Sequence, residues 1–343
     1  MQALVWEGPE RMTYRSADAP RAAAGHVVVR VAGVGVCGSE LGAYLGHNEL
    51  RRPPLVMGHE FSGVVVEVGA GVDPVWEGAS VVVNPLVTCG TCRWCRRGER
   101  QLCRTRRIIG IDVPGAFAER VAVPADALWR VHREGEDLWT GALVEPLACA
   151  VRATGQAAIA VGDAVLVYGA GIIGLMSAWM ARRRGAASVW LVDANPVRLS
   201  QGPVWGADRA IDATTEDVAE LVRRACPDGV DRVIDAVGLP GTRREGLELL
   251  ARGGRLVLVG LHEPATTLDG NRVVRDETEV VGSFCYRDQD FAVAANLWND
   301  RRLPEEDGWL DRRPLSAGNA AFQEQARGPA PFAKIVLDAE GRP

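Results

Sequence analysis

The sequence predicts an α/β fold in two parts, a mostly-β domain and a doubly wound parallel sheet. Three observations carry this prediction. At 343 residues the chain is too long for one ordinary core and fits two domains. Residues 26–35 (HVVVRVAGVG) and 61–69 (FSGVVVEVG) are short, Val-rich and Gly-bounded, as strands are. Between 163 and 195 the chain reads as a buried strand, a Gly-rich turn, a helix and a second buried strand. Strands that alternate with helices imply a parallel sheet with right-handed crossovers.

In chain order, residues 81–85 (VVVNP) add a strand to the first part, so that the first 130 residues read as all-β with long loops. In the second part, RVIDAVG (232–238) and RLVLVG (255–260) continue the parallel sheet, with helical spans such as 241–252 between strands. After about residue 286 the texture is mixed, and it ends in the strand-like FAKIVLD. Composition leaves open whether this end rejoins the first domain.

Bulk composition narrows the function. The chain is 47% hydrophobic and 24% charged, with a net charge of −5, which argues against a nucleic-acid surface. No run approaches the roughly 18 apolar residues of a membrane span, and the N-terminus MQALVWEGPERMTYR lacks the apolar segment of a signal peptide. A cytoplasmic protein is expected, where thiols stay reduced and clustered cysteines more often bind metal than pair. Of 39 basic residues only Lys334 is a lysine, which argues against Schiff-base or acid–base lysine chemistry.

Four of the eight cysteines, Cys89, Cys92, Cys95 and Cys103, fall within CGTCRWCRRGERQLC. Their two-residue gaps let consecutive thiolates converge on one ion at about 2.3 Å, and four soft sulfurs suit zinc. An iron–sulfur cluster and a disulfide pair are the rival readings. A closed four-sulfur zinc leaves no place for substrate, so its expected role is structural.

VYGAGIIG places Gly169, Gly171 and Gly174 in G-x-G-x-x-G spacing between a strand and a helix, with Asp193 at the end of the next strand. In that context the pattern is a dinucleotide-binding fingerprint. Gly169, Gly171, Ile172, Ile173 and Gly174 are the expected cofactor-binding positions, with pyrophosphate at the helix N-terminus. Asp193 favours NAD because it accepts ribose hydroxyls and repels a 2′-phosphate; Arg198 nearby is a second cofactor-binding candidate.

Three further pieces carry candidate metal ligands: GVCGSE with Cys37 and Ser39, MGHEFSG with His59 and Glu60, and LVEPLACA with Glu145 and Cys149. One thiolate, one imidazole and one carboxylate leave a fourth zinc position open, as catalytic zinc requires.

With these motifs in this order, the chain resembles the zinc-dependent medium-chain alcohol dehydrogenases, and more closely their sorbitol/polyol dehydrogenase branch. The resemblance implies a GroES-like catalytic domain from 1–147 and 286–343, with its structural zinc lobe at about 86–108, and a Rossmann NAD-binding domain from 148–285. It places Cys37, His59, Glu60 and Glu145 at the catalytic zinc, and it implies two zincs per chain. Cys149 lies one helical turn beyond Glu145 and is the less favoured ligand. Ser39 takes the place of the hydroxyl that passes on the alcohol proton. Two departures stand out. Glu40 stands where the family often has Asp, which implies a rearranged support for the zinc-bound His. Gly42 stands where many members carry a relay His, so the relay ends at the cofactor ribose, at water or at His47. Tyr44, Phe284 and Tyr286 are placed near the substrate cleft. The implied activity is oxidation of a secondary alcohol, a polyol, cyclitol or amino-alcohol, with hydride transfer to NAD. The partners implied are a small polar alcohol and further copies of the chain, as a homodimer or homotetramer. Competing readings are a zinc-independent quinone or enone reductase, an L-threonine dehydrogenase-like activity, and a non-catalytic NAD- and zinc-binding protein.

Overall fold

The computed structural model describes every residue except 48–49, 134, 305–307, 329–330 and 341–343. The chain separates into two units: Met1–Glu145 with Arg287–Pro343, and Pro146–Tyr286.

The first unit is organised around the strand His26–Gly35. Val27, Val28, Val29, Val31 and Val34 are all essentially buried, so this strand is apolar on both faces and reads as a continuous run. It pairs antiparallel with Glu60–Val68, Arg120–Pro124 and Lys334–Asp338. Ser80–Val83 and Leu128–Arg130 extend the sheet on one side. On the other, Leu310–Pro314 lies parallel to Lys334–Asp338. The last strand of the described chain therefore rejoins the first unit, which composition left open. A separate three-stranded sheet orders Arg11–Ser16, Gln2–Gly8 and Leu55–Val56. The core beneath includes Leu4, Trp6, Phe61, Phe117 and Phe322.

The second unit is the expected doubly wound sheet. Its strands run in the order Arg209–Asp212, Ser188–Asp193, Ala164–Tyr168, Val230–Asp235, Leu250–Leu258 and Glu279–Gly282, every pair parallel. This is the 3-2-1-4-5-6 order of a dinucleotide fold, which puts ligands at the carboxyl ends of the central strands. One helix is shorter than the sequence predicts. The span expected at 241–252 is helical only over Pro240–Glu248, because Leu250 already pairs with Val230 and the Leu249 carbonyl accepts the Val230 N–H. Among the described residues no helix is long and apolar enough to cross a membrane.

Candidate functional site

Sheet register assembles the metal donors. Gly35 sits opposite Glu60 across the His26–Gly35 and Glu60–Val68 pair. Cys37, two residues past Gly35, and His59, one residue before Glu60, therefore meet at one end of the sheet. The donor atoms of Cys37, His59 and Glu60 all lie within 4.8 Å of one another. Gly35 leaves room for the Glu60 carboxylate and the Lys334 side chain, which a Cβ there would displace.

Glu40 prepares the imidazole. Cys37 caps the short helix Gly38–Tyr44, and Glu40 in its first turn is fully buried. Its Oε1 lies 2.9 Å from His59 Nδ1 and accepts the Gly58 N–H at 2.9 Å, while Oε2 accepts the Cys37 N–H at 3.0 Å. An ionised carboxylate only accepts, so Nδ1 carries the proton and Nε2 is left for a metal. Burial alone would push Glu40 up, but His59 and then Arg51 outweigh it and hold the carboxyl below its usual range. Burial likewise works against a charged His59, yet Glu40 and Cys37 hold the imidazole well above its usual value. Such a site favours positive charge, which a cation at Nε2 supplies.

Two basic residues that sequence reasoning missed complete the site. Lys334, at the start of Lys334–Asp338, is buried; its Nζ donates to the Val36 carbonyl at 2.9 Å and forms an ion pair with Glu60. Burial would lower the ammonium, but Glu60 and then Cys37 raise it above the ordinary lysine value. Arg51, 3% exposed, donates to the Ser39 carbonyl at 3.0 Å and to Ser39 Oγ at 3.2 Å. Ser39 itself is exposed, and its hydroxyl lies 3.5 Å from Cys37 Sγ. The rarity of lysine drew attention to Lys334 without showing its place beside Glu60; nothing in the sequence singles out Arg51.

Other expected residues fall elsewhere. Glu145, at the start of the helix Val144–Gln156, is 7% exposed and lies outside the set of three close donors; Cys149 is also outside it. His47 is exposed. Tyr44 is 2% exposed, its ring lies 5.4 Å from that of Phe322 at a tilt of 37°, and it donates its hydroxyl to the Glu10 carbonyl. Tyr286 is fully buried, and of the three expected aromatics only Phe284 is exposed.

The four-cysteine lobe fits one tetrahedral ion. Cys92 and Cys95 sulfurs are 3.5 Å apart, Cys103 and Cys89 3.7 Å, and Cys89 and Cys95 3.9 Å. A tetrahedron with about 2.3 Å zinc–sulfur bonds has edges of about 3.8 Å. A disulfide, at about 2.05 Å, is ruled out by these separations, and all four cysteines are free. The N–H groups of Thr91 and Cys92 hold the exposed Cys89 thiol down to about 5, while burial pushes Cys95 up to about 11.

The glycine turn of the second unit fits a dinucleotide. Gly169 takes φ +97°, a Cβ at Gly171 would meet nothing within 4 Å, and one at Gly174 would lie 1.6 Å from the Gly169 carbonyl oxygen. Gly169 thus makes the turn, Gly171 leaves an open cradle, and Gly174 permits the close return. Gly171 caps the helix Ile172–Arg183 with no side-chain bond, so the Ile172, Ile173 and Gly174 end of the helix keeps donors for a phosphate. Asp193, ending Ser188–Asp193, accepts the Ala170 N–H at 2.6 Å and the Asn195 N–H at 2.8 Å. Arg198 lies in the short helix Pro196–Leu199 that follows.

Comparison with known proteins agrees with this arrangement. The family model of the alcohol dehydrogenase GroES-like domain matches residues 23–133, and that of the zinc-binding dehydrogenases matches 173–300. An L-threonine 3-dehydrogenase of Streptomyces coelicolor is 34% identical over 98% of this chain and 99% of the relative. A sorbitol dehydrogenase of Halalkalibacterium halodurans is 32% identical over 88% of this chain and 90% of the relative. Among solved structures, the alcohol dehydrogenase rspB of E. coli CFT073, complexed with NADH, superposes with a TM-score of 0.91 at 28% identity, covering 98% of this chain and 99% of that one.

Proposed function

Because the chain belongs to the zinc-binding dehydrogenases of the alcohol dehydrogenase superfamily, we propose that it oxidises a polar secondary alcohol to a ketone, with a catalytic zinc at Cys37, His59 and Glu60, a structural zinc at Cys89, Cys92, Cys95 and Cys103, and NAD on the glycine turn. The observation that supports this reading is the gathering of three unlike donors within 4.8 Å, with the exposed Ser39 beside them. Zinc bound there supplies a Lewis acid for the substrate oxygen, and NAD supplies the hydride acceptor.

The chain's own residues do the rest. Glu40 fixes the His59 ring with Nε2 free, as a carboxylate behind a ligating imidazole does. Lys334 balances the charge of Glu60 in the buried site. Ser39 takes up the substrate's hydroxyl proton and releases its own. The N–H groups of Ile172, Ile173 and Gly174 receive the pyrophosphate, and Asp193 accepts the ribose hydroxyls; Arg198 stands close in sequence to the same ribose. Glu145 is placed by family likeness at the catalytic zinc, alternating with Glu60 or bound through water, where it accepts from a polar group beside the reacting carbon. Family likeness also supports a homodimer or homotetramer and a cytoplasmic location.

Two substrate classes fit, polyols or cyclitols and amino-alcohols, and the full-length similarity to an L-threonine 3-dehydrogenase supports the second. An NAD-reduction screen across polyols, cyclitols, amino-alcohols including threonine, and simple alcohols tests the reading. A small apolar alcohol leaves buried acceptors unpaired at about 1–3 kcal/mol each, so the best polar secondary alcohol is expected to exceed ethanol and hexanol by about tenfold or more in kcat/KM. A primary alcohol as the best substrate overturns the substrate class. Turnover of a quinone or enone that persists after complete zinc removal overturns the dehydrogenase reading in favour of a zinc-independent reductase.

A further inference from the structure

We infer that Arg51 is a positioning residue that sets the direction of the Ser39 hydroxyl and keeps a fixed positive charge against it; the inference rests on the reading of Ser39 as the residue that handles the substrate proton. A guanidinium only 3% exposed is costly to bury unless its donors are used. All three arms of this one are: Nε donates to the Gly110 carbonyl at 3.2 Å, Nη1 to the Ser39 carbonyl at 3.0 Å and Nη2 to Ser39 Oγ at 3.2 Å. Two of the three bonds end on the same serine, one on its backbone and one on its side chain.

This fork constrains what the hydroxyl does. A serine hydroxyl has one hydrogen and two lone pairs. Nη2 occupies one lone pair, and the hydrogen points toward Cys37 Sγ at 3.5 Å. One lone pair is left to take the substrate's proton. In the same step the Ser39 hydrogen turns from Cys37 Sγ and leaves to water, because a guanidinium remains protonated and cannot receive it. Gly42 offers no imidazole to carry the proton onward. Arg51 instead holds the Oγ lone pairs in fixed directions while one hydrogen arrives and the other leaves, an order that a loosely held serine in water lacks.

The test uses the zinc-loaded enzyme and the best alcohol from the substrate screen. Arg51→Gln is expected to lower kcat by about tenfold, the effect of one charge-assisted hydrogen bond. KM is expected to change by less than about twofold, since the bond acts in the transition state. Zinc content, measured on each variant, is expected to stay close to that of the unmodified chain, while the melting temperature of Arg51→Gln is expected to fall because the Gly110 and Ser39 carbonyls lose their donor. In a Ser39→Ala background the same change is expected to cost less than about twofold more, the non-additivity of two residues acting as one. Arg51→Lys keeps the charge without the fork and is expected to recover part of the loss. A readout independent of turnover is NMR of ¹⁵N-arginine-labelled protein, in which one set of slowly rotating guanidinium signals, absent in Arg51→Lys, is expected to shift and broaden in Ser39→Ala. Additive losses, an unchanged kcat in Arg51→Gln, or guanidinium signals indifferent to Ser39→Ala overturn the inference. If Arg51→Gln does not fold, Arg51→Lys and the NMR comparison decide. Absence of dehydrogenase turnover in the unmodified chain defeats the functional reading instead, and the guanidinium signals still report whether Arg51 fixes Ser39.

Discussion

Lys334 is the chain's single lysine, and it stands buried against Glu60 and the Val36 carbonyl beside the candidate metal donors. Removing one partner of such a pair leaves the other charge buried alone. Lys334→Met is therefore expected to lower stability by about 3–5 kcal/mol, read as a fall in melting temperature. Adding Glu60→Gln is expected to restore part of it. An unchanged melting curve for Lys334→Met would show that the pair contributes nothing. At this scale the sequence was legible in part. Cys37, His59 and Glu60 stood out because ligands need particular residue types in motifs of fixed order. The rarity of lysine was visible too, but it pointed away from lysine chemistry. It gave no hint of an electrostatic partner 274 residues away from Glu60. The longer Glu40 in place of Asp predicted a rearranged support, yet its carboxylate reaches His59, Gly58 and Cys37 together from the first turn of Gly38–Tyr44. Arg51 was invisible, because one arginine among many carries no spacing signal.

The four-cysteine lobe has little else to hold its shape. Its regular structure amounts to the two-residue strand pair Leu86–Val87 and Arg107–Ile108 at its base and the one-turn segments Cys95–Arg97 and Arg100–Leu102, with Gly90 and Gly98 at positive φ. Cys92→Ser is expected to yield insoluble protein or a large drop in melting temperature, since structural zinc contributes folding energy directly. A soluble variant with full metal content and an unchanged melt would remove the lobe's structural role. The glycine turn and the cysteine spacing were both readable from sequence because each depends on local geometry. The span 241–252 was misjudged for the opposite reason. Its helical residues stop at Glu248, where pairing with Val230 takes over, and strand pairing is set by a partner far along the chain.

At the scale of the molecule, the two proposed zincs differ in kind. Four sulfurs close one ion off, whereas three donors leave the other with an open position. Mass spectrometry of the whole chain is expected to count two zincs, and a chelator is expected to abolish turnover before it shifts the melting curve. Loss of both ions in a single step with unfolding would show that the sites are not distinct. The two-part α/β architecture was legible from the change of texture near residue 130 and from the strand–helix alternation after 163. The return of the final strand to His26–Gly35 was not, because FAKIVLD has the composition to suit either sheet and only register chooses between them.

That return gives the molecule a calendar. During synthesis Pro146–Tyr286 emerges as one uninterrupted stretch and can fold as soon as it is made. The unit begun earlier must wait: the Gly33–Gly35 end of its central strand has one edge open until Lys334–Asp338 arrives, and Glu60 lacks its cation until the same moment. At ribosomal speeds the stretch from Tyr286 to Lys334 takes roughly 2–10 s. For that interval the metal donors exist in the nascent chain without the lysine that completes their surroundings, so residues made early are the last to be completed.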